Sequence, residues 1–94
     1  MPKEPIQGRL RYGAHELAYE IHGESGVPCL LMHGLLLDSL LNRDLARRFV
    51  GEGYRVVLLD ILGHGGSDRP TDPRELRIDF FADHALALLD HLGI

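Results

Sequence analysis

Pro28-Cys29-Leu30-Leu31-Met32-His33-Gly34, followed by Leu35-Leu36-Leu37-Asp38, is the stretch on which the reading of this chain turns. It opens as a short apolar run and stops at a His-Gly pair. An apolar run of this length bounded by a turn signal suits a strand buried on both faces, as in a parallel sheet. The same periodicity is open to a buried helix; the shortness of the run and Pro28 at its first position select the strand. Gly34 then allows a sharp turn or a close backbone approach to a ligand. Ligands of open α/β sheets bind just past the carboxyl ends of the strands. Residues 33–37 are therefore where function is expected first.

Downstream, Leu41, Leu45, Ala46, Phe49 and Val50 share one helical face, and Asn42, Arg43, Asp44, Arg47 and Arg48 share the other. That spacing predicts an amphipathic helix, with Ser39, Asp38 or Asn42 as its N-cap and Gly51 and Gly53 at its end. Tyr54-Arg55-Val56-Val57-Leu58-Leu59-Asp60 reads as a second buried strand, rich in β-branched and apolar residues. Strand, helix and strand at this spacing form a βαβ unit with parallel strands and a right-handed crossover. A Gly- and Pro-containing loop follows over residues 61–73. A second helix is then expected, with Ile78, Phe81, Ala82, Ala85, Leu88, Leu89 and Leu92 inward. Asp79, Asp83, His84, Asp90 and His91 are expected on its polar side, and Gly93 at its stop.

Upstream, Leu10 and Tyr12 alternate with Arg9 and Arg11. Gly13-Ala14 interrupts the alternation, and Leu17, Tyr19 and Ile21 resume it. Period two on both sides of a Gly-containing turn predicts a β-hairpin between Gly8 and Gly23. Residues 1–7, with two prolines and mixed charge, are expected as a flexible lead-in.

Composition sets bounds on function. The chain has 94 residues, 45% hydrophobic and 26% charged, an ordinary globular balance for one small domain. A net charge of −4, with no basic cluster beyond Arg47-Arg48, argues against nucleic acid as a partner. No apolar run nears the roughly 18 residues of a membrane span. The first residues lack the apolar core of a signal peptide, so a cytoplasmic location is expected. Cys29, the single cysteine, allows no internal disulfide and is read as a core residue. The six histidines show no ligand spacing, so no metal is expected. His84 and His91, seven apart on one helix, stand about 10 Å apart along its axis, too far to share an ion.

Two motifs carry chemistry. A small turn at His33-Gly34-Leu35 could aim backbone N–H groups at one point, as an oxyanion hole does, or be an ordinary strand-ending turn. The second motif is Asp60-Ile61-Leu62-Gly63-His64-Gly65-Gly66-Ser67-Asp68. It has two glycines of a dinucleotide fingerprint, but Asp68 stands at the third place and Pro70 and Pro73 follow in place of a helix. No Gly-Lys-Ser/Thr phosphate loop occurs either. Cofactors are thus expected to be none.

Taken in order, His33-Gly34, Gly53-Tyr54-Arg55-Val56, Asp60 to Ser67 and Asp90-His91-Leu92-Gly93-Ile94 resemble the N-terminal part of an α/β-hydrolase, over residues 8–94. The resemblance implies the N-terminal portion of one α/β-hydrolase domain over 1–94. It implies a β1-β2 hairpin followed by strand, helix, strand, helix, a mostly parallel but incomplete sheet of order 1-2-4-3, and hydrolysis of an ester or related bond by nucleophilic catalysis. It implies an oxyanion role for the backbone N–H of Leu35, supported by the His33-Gly34 turn, and structural roles for His64 and Ser67. Leu36 stands where epoxide hydrolases and haloalkane dehalogenases usually carry proline, which points away from those two subclasses.

The departure from the family lies in the nucleophile. The elbow should read Gly-x-Ser-x-Gly. Of the three serines, Ser25 and Ser67 have the preceding glycine but not the following one, and Ser39 has neither. The family's acid and catalytic histidine come later in chain order. The expectation is a truncated, esterase-like chain, inactive alone, with a small-molecule substrate only in a complete enzyme. The alternative is a non-catalytic module that associates with itself or a partner through the Cys29–His33 edge.

Overall fold

The computed structural model describes residues 5–33, 42–70 and 72–94. Strands β1 (Ile6–Tyr12), β2 (His15–His22), β3 (Val27–Met32) and β4 (Tyr54–Leu59) form one sheet of order β1-β2-β4-β3. Helix α1 (Arg43–Gly51) connects β3 to β4, and α2 (Ile78–His91) follows a short 3-10 turn at Pro73–Glu75. This is the expected order and mixture. β1 and β2 pair antiparallel about Gly13-Ala14, with Leu10 opposite Leu17. β3 and β4 pair parallel, with Leu30 opposite Val57 and Met32 opposite Leu59. The lead-in is shorter than expected, because Ile6 and Gln7 already pair with Ile21 and Glu20.

β4 holds the sheet together because both of its faces are covered. Alternate residues of a strand point to opposite faces. Val56 and Leu58 pack with Ala46 of α1, against Cys29, Leu31, Phe49 and Val50. Val57 and Leu59 pack on the other face with Leu10, Leu17, Phe81, Ala85 and Leu88. That double coverage is why the strand reads as a continuous apolar run. Gly26 lets the turn into β3 press against the turn before β4. A Cβ there would stand 2.0 Å from the Gly53 carbonyl oxygen, and its φ is +106°.

Both helices depart from their expected faces. In α1, Ala46, Phe49 and Val50 turn inward while Leu45 is exposed. The helix approaches the sheet at its smallest side chain, Ala46, which leaves Leu45 at the edge of the contact. Its N-cap is Asn42, which makes no side-chain capping bond; Ser39 and Asp38 lie outside the described residues. In α2, the buried residues are Phe81, His84, Ala85 and Leu88. His84, expected on the polar side, is 5% exposed, whereas Ile78, expected inward, is 81% exposed. The cause is a helix with two adjacent apolar stripes. Phe81, Ala85 and Leu88 form one, at spacings of four and three. Ile78, Ala82, Leu86 and Leu89 form the other, and an expected face drawn through both is centred between them. The sheet takes the first stripe, which carries His84 with it.

Candidate functional site

The parallel pair β3 and β4 delivers His33 and Asp60 side by side at its carboxyl end. His33 is buried, and its Nε2 accepts a hydrogen bond from the Ile61 N–H at 3.0 Å. A ring nitrogen that accepts carries a lone pair, which puts the ring proton on Nδ1. The same Nε2 stands 4.0 Å from Asp60 Oδ1, beyond hydrogen-bond range. His33 thus ties the end of β3 to the first residue beyond Asp60, immediately before Gly34. Gly34 and Leu35, the other two residues of the expected oxyanion turn, lie outside the described residues, as does Leu36.

The loop after β4 folds back on β2. Ser67, 2% exposed, donates from Oγ to the Asp60 carbonyl at 2.5 Å and accepts from the Ala18 N–H at 2.8 Å. Its hydroxyl is committed in both directions, so it acts as a bracket between β2 and β4 rather than as a free nucleophile. Asp60 Oδ2 accepts from the Gly66 N–H at 3.0 Å. A Cβ on Gly65 would stand 2.4 Å from that carboxylate oxygen, with φ +51°, so the Asp60–Gly66 turn needs glycine there. Asp68 Oδ2 accepts from the Glu16 N–H at 2.8 Å, and the Asp68 N–H donates to the Glu16 carbonyl at 2.8 Å. The His64 ring lies 5.1 Å from the His33 ring, centroid to centroid, and its Nδ1 meets the Leu62 carbonyl at 3.1 Å. His64 therefore stands beside His33, and Ser67 braces the loop after β4 against β2.

Sequence reasoning did not bring together Glu20, His22 and Arg43. Glu20 and His22 alternate along β2, so both project to the face that carries α1. Arg43, the first residue of α1, donates through Nε to both Glu20 carboxylate oxygens at 3.1 and 3.2 Å, and through Nη2 to Oε2 at 2.5 Å. His22 Nε2 lies 3.2 Å from Glu20 Oε1. This partly buried fork pins the start of α1 to β2. The signal available in sequence was two polar residues at alternate positions of a buried strand, but nothing local names Arg43 as their partner. Beside the fork, a cavity of about 460 Å³ is bounded by Ala18, Glu20, Arg43, Asp60 and Gly66. Among the described residues, no group of three or more His, Cys, Asp or Glu is placed to hold a metal ion. Among them, too, no helix is long and apolar enough to cross a membrane.

Residues 27–94 match the sequence model of the alpha/beta hydrolase fold. Epoxide hydrolase 4 of Mus musculus is 35% identical over 86 residues, covering 90% of this chain and 24% of that protein. The 2-hydroxymuconate semialdehyde hydrolase of a Pseudomonas strain is 31% identical over 94 residues, covering 98% of this chain and 31% of that one. An epoxide hydrolase from Vigna radiata superposes with a TM-score of 0.84 at 23% identity, over 97% of this chain and 29% of the other, which speaks for the fold alone. The chain spans about a quarter to a third of the length of these relatives. Their names differ in substrate.

Proposed function

The chain belongs to the α/β hydrolase fold family, and on that premise we propose that it forms the oxyanion side of a hydrolase active site. In this reading His33 and Gly34 make the supporting turn. The backbone N–H of Leu35 donates to the carbonyl oxygen of an ester or related substrate as negative charge develops there. The observation that supports it is the His33–Ile61 hydrogen bond, which holds the end of β3 against β4 where Gly34 begins. The 94 residues contain no Gly-x-Ser-x-Gly, so the nucleophile, the acid, the catalytic histidine and the second oxyanion N–H must be supplied by further polypeptide. Alone, the chain is expected not to hydrolyse p-nitrophenyl esters above a heat-treated control. Saturable turnover abolished by Ser67→Ala would overturn that expectation.

The positive test uses a chimaera in which residues 1–94 replace the matching stretch of the 2-hydroxymuconate semialdehyde hydrolase. Leu35→Pro removes the N–H and is expected to lower kcat by about a hundredfold, against a small change for Leu35→Ala. Equal activity of the two variants would remove Leu35 from the mechanism.

A second reading, self-association of two copies, is favoured by the position of β3. It stands at the edge of the sheet, and Val27 and Met32 are exposed on it. An apolar edge with unpaired N–H and C=O groups is a template for another strand. Sedimentation of the chain and of Leu31→Lys tests it. Loss of a dimer in the variant supports edge pairing, and a monomeric parent at high micromolar concentration removes it.

A further inference from the structure

His84 is a buried titratable group for which the proposed hydrolase site has no use. Its ring meets Tyr12 of β1 edge-on, at 4.8 Å between centroids, and lies 6.5 Å from the ring of Phe81. Its Nδ1 is enclosed and has no hydrogen-bond partner. Tyr12 is the last residue of β1, so this ring contact joins the hairpin turn to the first half of α2. A second link, between His15 Nε2 and Glu75 Oε2 at 2.9 Å, joins the same turn to the 3-10 segment before the helix. Beside both links lies a cavity of about 280 Å³, whose walls include His15, Glu75, Asp83 and His84.

A neutral imidazole fits this place, and a charged one does not. An imidazolium donates from both ring nitrogens, and the enclosed Nδ1 has no acceptor to meet. A buried charge without a partner is strongly disfavoured. The titratable groups that face His84 are Tyr12 from β1, His15 from β2, Glu75 from the 3-10 turn and Asp83 from its own helix. No lysine or arginine lines the cavity. Burial is the largest influence and lowers the pKa of the ring, while Asp83 and Glu75 act to raise it and His15 to lower it. Neither carboxylate is bonded to the enclosed nitrogen, yet both stand in the wall of the adjoining cavity. We propose that His84 is an acid-released latch between the β1–β2 hairpin and α2. Neutral, its ring holds Tyr12 and the hairpin turn against the helix. On taking up a proton from water, the ring leaves Tyr12 and turns into the cavity, where Asp83 and Glu75 receive its charge. The core around Val57 and Leu59, carried by Leu10, Leu17, Ala85 and Leu88, stays closed, and raising the pH reverses the step.

The test is two-dimensional NMR of the 94-residue chain between pH 7.5 and pH 4.5. It reads the His84 ring, the Tyr12–His84 cross-peaks and the amides of β4. The His84 midpoint is expected below the ordinary histidine value near pH 6.5. The Tyr12 cross-peaks should vanish with that same midpoint, while the β4 amides keep their positions. Asp83→Asn, an exposed and conservative change, should move ring titration and cross-peak loss together to lower pH. His84→Phe, which keeps a ring and takes up no proton, should hold the Tyr12 contact across the whole range. If that variant does not fold, the parent chain and Asp83→Asn still decide the matter. A midpoint at or above the ordinary value, or cross-peaks that outlast protonation, would overturn the proposal. So would β4 amides lost along with the cross-peaks, an Asp83→Asn chain that titrates like the parent, or a His84→Phe chain that loses the contact at the same pH.

Discussion

β3 and β4 are neighbours in one sheet and nearly alike in composition, yet they live in different surroundings. β4 sits second from the edge, and Val56, Val57, Leu58 and Leu59 are all buried. β3 is the edge, and Val27 at its start is 64% exposed. The contrast continues beyond the strands. The loop after β4 is bracketed to β2 through Ser67 and Asp68. The outer stripe of α2 is open at Ile78 and Leu86, 81% and 61% exposed. Two apolar runs of equal length can therefore differ in what they contribute, because position in the sheet order, and not composition, decides how fully their side chains are covered.

The comparison can be broken most sharply by truncating each strand. Leu58→Ala in β4 should cost about 3 kcal/mol, and Leu31→Ala in β3 about 1 kcal/mol, because the edge side chain has fewer neighbours to lose. Urea denaturation measures both, and equal losses would erase the distinction. Next in size is the bracket. Ser67→Ala leaves the Ala18 N–H without its partner and should cost about 2 kcal/mol, the penalty of an unsatisfied buried donor. A loss below about 0.5 kcal/mol would show that the loop is held by other contacts.

The third effect depends on pH. Burial lowers the pKa of His84, while neighbouring Asp83 and Glu75 act to raise it and His15 to lower it. The unfolded chain therefore takes up this proton more readily than the folded one. The stabilising contribution is complete above the ordinary histidine value near pH 6.5 and is lost as pH falls through the lower folded value. Acidification from pH 7 to 5 should lower the melting temperature less in His84→Phe than in the parent. Identical slopes would contradict the burial. Smallest of all is the exposed Asp44–Arg47 pair on α1, where Arg47→Ala should change stability by less than about 0.5 kcal/mol.

The parts legible in the sequence are those where local pattern and tertiary surroundings agree. The hairpin around Gly13-Ala14, the doubly buried β4 and the crossover through α1 follow from periodicity and turn residues, and the strand order follows from the family resemblance. What escaped depends on contacts distant in sequence. Nothing near Glu20 announces Arg43, which reaches it across 23 positions. Nothing near His84 says that the sheet takes the first of two apolar stripes. Leu45 faces outward because Ala46 sets the line of closest approach, which is a property of the packed pair. The proposed oxyanion turn was legible only as a motif; of its three residues, the structure describes His33.

That histidine carries the proposal, as the tie between the carboxyl ends of β3 and β4. The most direct test is NMR of the His33 ring, with a search for nitrogen–nitrogen coupling across the hydrogen bond from Ile61. The account predicts a proton on Nδ1, a bare Nε2 coupled to the Ile61 amide nitrogen, and slow exchange of that amide. A proton on Nε2, or a rapidly exchanging Ile61 amide without coupling, would contradict it.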